Sequence, residues 1–207
     1  VAKTNGGAIY TDTGALTLKN VDFEDNFVTA NAEGDMGYGG AIFAQGGIID
    51  IQGTENDYAE FEANHALTGG AVYVSRHATS VNIENVEFEG NWASDIGALG
   101  IFGKNVTLTN LMFTDKYTTG QYKDLGFNDG GGALFFGSEA QAVLDNGVFL
   151  SNESAGVGGA IATRSPSKGN NSAAKLDIKN STFSENVAKT NGGAIYTAFY
   201  NSEGAVD

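Results

Sequence analysis

Cysteine is absent from the 207 residues, proline occurs once and histidine twice. Without thiols there is no disulfide framework, no thiolate metal site and no cysteine nucleophile. Basic residues are scarce as well, 11 Lys+Arg against 25 Asp+Glu, a formal charge of −14. Nucleic-acid backbones and anionic membrane surfaces are both held by clustered Lys and Arg, so the charge balance argues against either as a partner. No apolar run approaches the roughly 18 residues that a spanning helix needs. The first residues, Val1-Ala2-Lys3-Thr4, show neither an initiator methionine nor the apolar stretch of a signal peptide, so the chain is expected to be a mature protein or a piece of one.

Glycine, in contrast, is plentiful at 30 residues, about twice the usual share of roughly 7%. The lone proline and the lack of a Gly-X-Y period exclude collagen and Pro-rich disorder, and a hydrophobic content of 41% is enough for a core. The glycines fall into a pattern. Gly-Gly-Ala followed by an apolar residue begins at Gly6, Gly39, Gly69, Gly131, Gly158 and Gly192, with a degenerate copy at Ile96-Gly97-Ala98-Leu99. Successive copies lie 27 to 35 residues apart and average 31.

A second motif alternates with the first: apolar-x-apolar-x-Asn-x-x-Phe-x-x-Asn. It runs through Leu16, Leu18, Asn20, Phe23 and Asn26, and again through Val81, Ile83, Asn85, Phe88 and Asn91. Further copies centre on Asn110 and Phe113, Asn146 and Phe149, and Asn180 and Phe183; in the first of these Lys116 takes the final Asn place. The copy ending Phe61-Glu62-Ala63-Asn64 is interrupted by an insertion at residues 54–60.

Apolar and polar residues alternate at period two inside each copy, the signature of a strand, and no stretch holds a 3.6 period over three turns. A lone repeat of this size cannot bury its apolar face, so neighbours must stack. The expected fold is all-β, a parallel β-helix of about six to seven coils of roughly 31 residues, with residues 1–207 forming a single segment of it. Equivalent residues then stack at roughly 4.8 Å. A column of Phe23, Phe61, Phe88, Phe113, Phe149 and Phe183 supplies core area, and Asn20, Asn85, Asn110, Asn146 and Asn180 are expected to form a buried amide ladder.

The alternation of GGA[ILV] with FxxN over nearly the whole chain resembles the passenger domains of the polymorphic outer-membrane proteins of Chlamydia and similar autotransporter adhesins. The resemblance implies a right-handed coil, secretion to the cell surface with outer-membrane attachment through a region not present here, adhesion to a host-cell or matrix glycan or protein, and frequent self-association. Unlike the chlamydial members, this chain has no cysteine. Residues 1–11 and 187–197 are identical, VAKTNGGAIYT, which suggests recent duplication or a longer parent array, and open coil edges invite either end-to-end stacking into an extracellular filament or continuation of the natural chain.

Parallel β-helices also include enzymes acting on polysaccharide, whose sites gather carboxylates or a bound Ca²⁺ on one face. Here Asp22 and Glu24, Glu60 and Glu62, and Glu87 and Glu89 flank successive Phe residues and form an acidic stripe. The stripe suits a divalent cation such as Ca²⁺ or a carboxylate pair; the plainer reading is a solvated face that keeps a rod soluble. It gives way to Met112 and Thr114, Val148 and Leu150, and Thr182 and Ser184 in later copies. His65 and His77 are assigned to loops, and the Gly-rich stretches lack the Lys-Ser/Thr of a phosphate loop. Insertions at residues 31–38, 54–60, 117–129 and 164–173 make Trp92, Tyr117, Tyr122 and Phe127 candidate contact residues. No catalytic or cofactor-binding residue is assigned. The expected function is that of a non-enzymatic adhesin stalk or fibre subunit, with a polysaccharide-binding or polysaccharide-degrading protein as the alternative.

Overall fold

Short alternating apolar runs bounded by Gly, Asn and Asp favour strands separated by bends. The computed structural model describes residues 1–29, 37–119, 130–163 and 173–198, and among them there are strands and bends but no helix. The named strands pair in parallel, repeat upon repeat, in a curled 14-stranded sheet and a second sheet of five strands. The register keeps equivalent residues together. Ile9 pairs with Ile42, then Val72, Leu99, Leu134, Ile161 and Ile195 follow in one column. Leu18, Ile51, Ile83, Leu108, Leu144 and Ile178 make a second.

The phenylalanines of the FxxN motif form the third column, Phe23 to Phe183. Their ring centroids lie 4.7 to 5.1 Å apart with planes within 17° of parallel. Phe61, Phe88, Phe113 and Phe149 are fully buried, and these rings together with the two aliphatic columns make up the main core. A smaller cluster of Phe43, Tyr73, Ile96, Phe135, Val157 and Ala162 lies apart from it, with Tyr38, Phe102 and Tyr196 packed against it.

Each corner has a backbone reason. The first glycine of the Gly-Gly pair is left-handed, as at Gly39 (φ 64°), and a Cβ on the second would sit 1.9 Å from a neighbouring carbonyl, as Gly40 does from Gly70 O. One glycine therefore serves conformation and the other close approach. In the degenerate copy Ile96 is not left-handed, and its side chain occupies the space left by Gly100, where a Cβ would lie 3.0 Å from Ile96 Cγ2.

Asn20, Asn85, Asn110, Asn146 and Asn180 also hold positive φ, between 48° and 57°, a region that Asn tolerates better than most residues. The third corner falls two residues after each Phe, at Asp25, Ala63, Gly90, Asp115, Ser151 and Glu185, again with positive φ. The insertion after Gly53 closes on itself, Thr54 N–H donating to Asp57 O at 2.8 Å. The strand then resumes at Ala59, so that Phe61 returns to register with Phe23.

Candidate functional site

The expected buried ladder at Asn20, Asn85, Asn110, Asn146 and Asn180 differs from what these residues do. Asn20, Asn146 and Asn180 are exposed and Asn110 is half-buried; only Asn85 is buried, at 6% exposure. Asn110 donates to Asn85 Oδ1 and Asn146 to Asn110 Oδ1, each at 2.8 Å, but Asn180 turns to Asp145 and Asn85 donates to Gly53 O. The physical reason is the left-handed corner: the backbone conformation selects Asn there, and the side chain is left at the rim.

The buried ladder is the Asn that closes each FxxN. Asn64, Asn91 and Asn152 are wholly buried. Asn64 Nδ2 donates to Phe23 O at 2.8 Å and to Asn91 Oδ1 at 3.0 Å, and Asn64 Oδ1 accepts from both the N–H and the Nδ2 of Asn26. Asn152 repeats the arrangement with Phe113 O and Asn186 Oδ1. Each amide thus ties the corner of its own repeat to the repeats before and after it, satisfying backbone groups that would otherwise be buried without partners.

Lys116 interrupts this column. It is wholly buried, and its Nζ donates to Thr114 O, the carbonyl equivalent to Glu24 O, which Asn26 Nδ2 caps in its own bend. Its N–H still donates to Asn152 Oδ1 at 3.3 Å, but an ammonium or amine on a long stem presents no carbonyl-like acceptor to Asn91. Burial pulls its pKa down from 10.5 to about 7, opposed by the charges of Glu89, Asp115, Glu87 and Glu62.

Glu62, Glu87 and Glu89 belong to the acidic stripe, and Asp115 to the corner after Phe113. The register stacks Glu24 on Glu62 and Glu62 on Glu89, and sets Glu60 beside Glu87, with side chains turned away from the Phe column; Asp22 also accepts from the Glu60 N–H at 3.0 Å. Glu87 is pushed above the ordinary carboxylate pKa by desolvation and then by Glu89 and Glu60, with Lys116 opposing. Among the described residues no group of three or more His, Asp or Glu is arranged to hold a metal ion. The stripe ends at Lys116, where Met112 pairs with Glu87 and Thr114 with Glu89.

On the five-stranded sheet, His65, Trp92, Tyr117, Glu153 and Val187 form an outward column whose inward partners include Ala66, Ala93 and Thr118. Phe27, His65, Trp92 and Tyr117 stack with planes within 7° of parallel and centroids 4.6 to 5.9 Å apart. His65 is held below its ordinary pKa by burial, with Asp25 opposing. The column loses its rings after Tyr117, and an open cleft of about 470 Å³ lies there, bounded by Asp115, Tyr117, Thr119, Ser151, Glu153 and Lys189. Tyr122 and Phe127 lie outside the described residues. His77 is exposed on the long strand Val72–Glu89. The cleft and the buried role of Lys116 escaped sequence reasoning; the signal present was the single departure from FxxN at Lys116.

A family model described as the Chlamydia polymorphic membrane protein (Chlamydia_PMP) repeat matches residues 180–198. The match takes in Asn180, Phe183, Asn186 and the Gly192-Gly193-Ala194-Ile195 corner, one copy of each motif. The chain thus carries a repeat similar to that of the polymorphic membrane proteins. No curated protein and no solved structure matches the chain.

Proposed function

We propose that the chain is a right-handed parallel β-helix segment of a surface-exposed, autotransporter-type adhesin, acting as a non-enzymatic stalk that carries contact residues. The observation that carries this reading is the unbroken parallel register of repeat on repeat, from Phe23 to Phe183. The match of residues 180–198 to a polymorphic membrane protein repeat supplies its biological setting. A stack of short coils makes a stiff, extended support with a large lateral surface, and the acidic stripe gives that surface a soluble side. The partner is a host-cell or matrix glycan or protein.

The test is attachment of beads coated with the purified chain to epithelial cells. Attachment above albumin-coated beads, blocked by soluble chain, is expected. No excess attachment, or release of reducing ends from polysaccharides by the chain, would contradict the reading. A second reading, end-to-end self-association, has one observation in its favour. The identical stretches at residues 1–11 and 187–197 pair through opposite edges, Ile9 with Ile42 and Ile195 with Ile161, so both edges of that sequence accept a strand. Light scattering at increasing concentration tests it, growth of the scattering mass being expected.

A further inference from the structure

We infer that the cleft at Tyr117 is a binding subsite for a neutral pyranose sugar, with the Tyr117 ring as its platform. The proposal deepens the adhesin reading and rests on it for its biological setting, while the site itself rests on geometry. Trp92 lies on one face of the Tyr117 ring, 5.9 Å between centroids and 6° from parallel, and fixes the plane of the phenol. The next residue of the column is Glu153, which carries no ring, so the second face borders the cleft. Elsewhere in the ladder that face is covered: Trp92 lies over His65, and Tyr117 over Trp92. Tyr117 is accordingly 43% exposed, whereas Trp92 is less exposed.

An aromatic face bears partial negative charge and receives the polarised C–H groups of a pyranose, whose hydroxyls then need donors and acceptors around the rim. The cleft supplies them in the carboxylates of Asp115 and Glu153 and the hydroxyls of Ser151 and Thr119. Lys189 holds Glu153 at 3.7 Å and so orients one acceptor. The cleft's two amines are already engaged, Lys189 with Glu153 and Lys116 with Thr114 O. Among the described residues that leaves no free cation at the cleft for an acidic sugar, which the net charge of −14 also repels. A volume of about 470 Å³ falls within the range of about 300–1,000 Å³ typical of small-molecule sites.

Saturation-transfer NMR of the intact chain with lactose, maltotriose and N,N′-diacetylchitobiose tests the assignment. At least one of these sugars is expected to bind, weakened about tenfold or more in Tyr117→Ala and changed less than about threefold in Tyr117→Phe, which keeps the ring. Asp115→Asn, which leaves the corner's left-handed preference intact, is expected to weaken binding while the chain still melts as a folded protein. Absence of transfer to all three sugars, binding unaltered in Tyr117→Ala, or binding of sialyllactose alone would each overturn the site. Cell attachment by the parent chain together with absence of transfer to all three sugars would discard the cleft while leaving the adhesin reading standing.

Discussion

The repeats before Lys116 and those after it share one backbone plan but present different outer faces. Before it, acids flank Phe23, Phe61 and Phe88, the linked amides run from half-buried Asn26 to buried Asn64 and Asn91, and rings stack from Phe27 to Trp92. Beyond it, Val148 and Leu150 flank Phe149, the amides resume as Asn152 and Asn186, and the outward column continues as Glu153 and Val187. The Phe column and the two aliphatic columns cross this boundary unchanged. The difference teaches that apolar columns and left-handed corners define the stack, leaving the outward positions free to vary from repeat to repeat. At Lys116 that freedom has reached inward, into the column of buried amides.

The largest expected effect tests the shared part. Phe88→Ala opens a void between the rings of Phe61 and Phe113 and is expected to cost about 3–5 kcal/mol in chemical denaturation. Phe183→Ala, at a half-buried ring, should cost markedly less. Equal losses would remove the distinction between the middle and the edge of the stack.

Next come the two kinds of Asn. Asn64→Ala removes a wholly buried amide with bonds on both sides and is expected to cost about 2–3 kcal/mol, because the partners left behind stay buried. Asn180→Gly keeps the left-handed corner and loses only an exposed bond to Asp145, so its midpoint should move by less than about 0.5 kcal/mol. A reversed order would return the structural ladder to the outer column.

The boundary itself is sharpened by Lys116→Asn, which restores the acceptor facing Asn91 and removes a buried amine; a gain of about 1–2 kcal/mol at pH 7 is expected. The pH profile supplies an independent reading. Lys116 titrates near 7 in the folded chain against 10.5 unfolded. Between these values the unfolded chain binds the extra proton, so the Lys116 contribution rises with pH across that window and is lost as pH falls through about 7. The difference in stability between parent and Lys116→Asn should therefore narrow from pH 7 toward pH 10, as followed by melting curves. A constant difference would contradict the burial of the amine.

The smallest effect concerns Glu87, whose folded pKa is raised. Its contribution to stability is greatest below the unfolded carboxylate pKa and falls as pH rises through the folded value, the reverse of the Lys116 slope. Glu87→Gln is expected to give a slight rise in melting temperature at pH 7 and none at pH 3.

Strand alternation, the apolar columns and the stacking of Phe on Phe were legible in the sequence because each leaves a repeated residue type at a fixed offset. The GGA corner was legible for the same reason. The corner two residues after each Phe was hidden, since Asp25, Ala63, Ser151 and Glu185 share a backbone conformation without a common side chain. The two Asn positions of the motif look equivalent as letters, and only burial separates the rim residue Asn146 from the buried Asn152. The cleft was beyond reach because it arises from what stands above Tyr117, a relation set by register between residues 36 apart in the chain.

The central claim is that each repeat advances the chain by one coil along a common axis. With no native cysteine, spin labels can be placed cleanly at Glu24 paired in turn with Thr114, Leu150 and Ser184, which lie three, four and five steps up one outward column. The account predicts narrow distance distributions whose means increase by about 5 Å per step, reaching about 24 Å between backbones for the last pair. Distances that fail to increase in that order, or broad distributions extending well beyond about 40 Å, would contradict it.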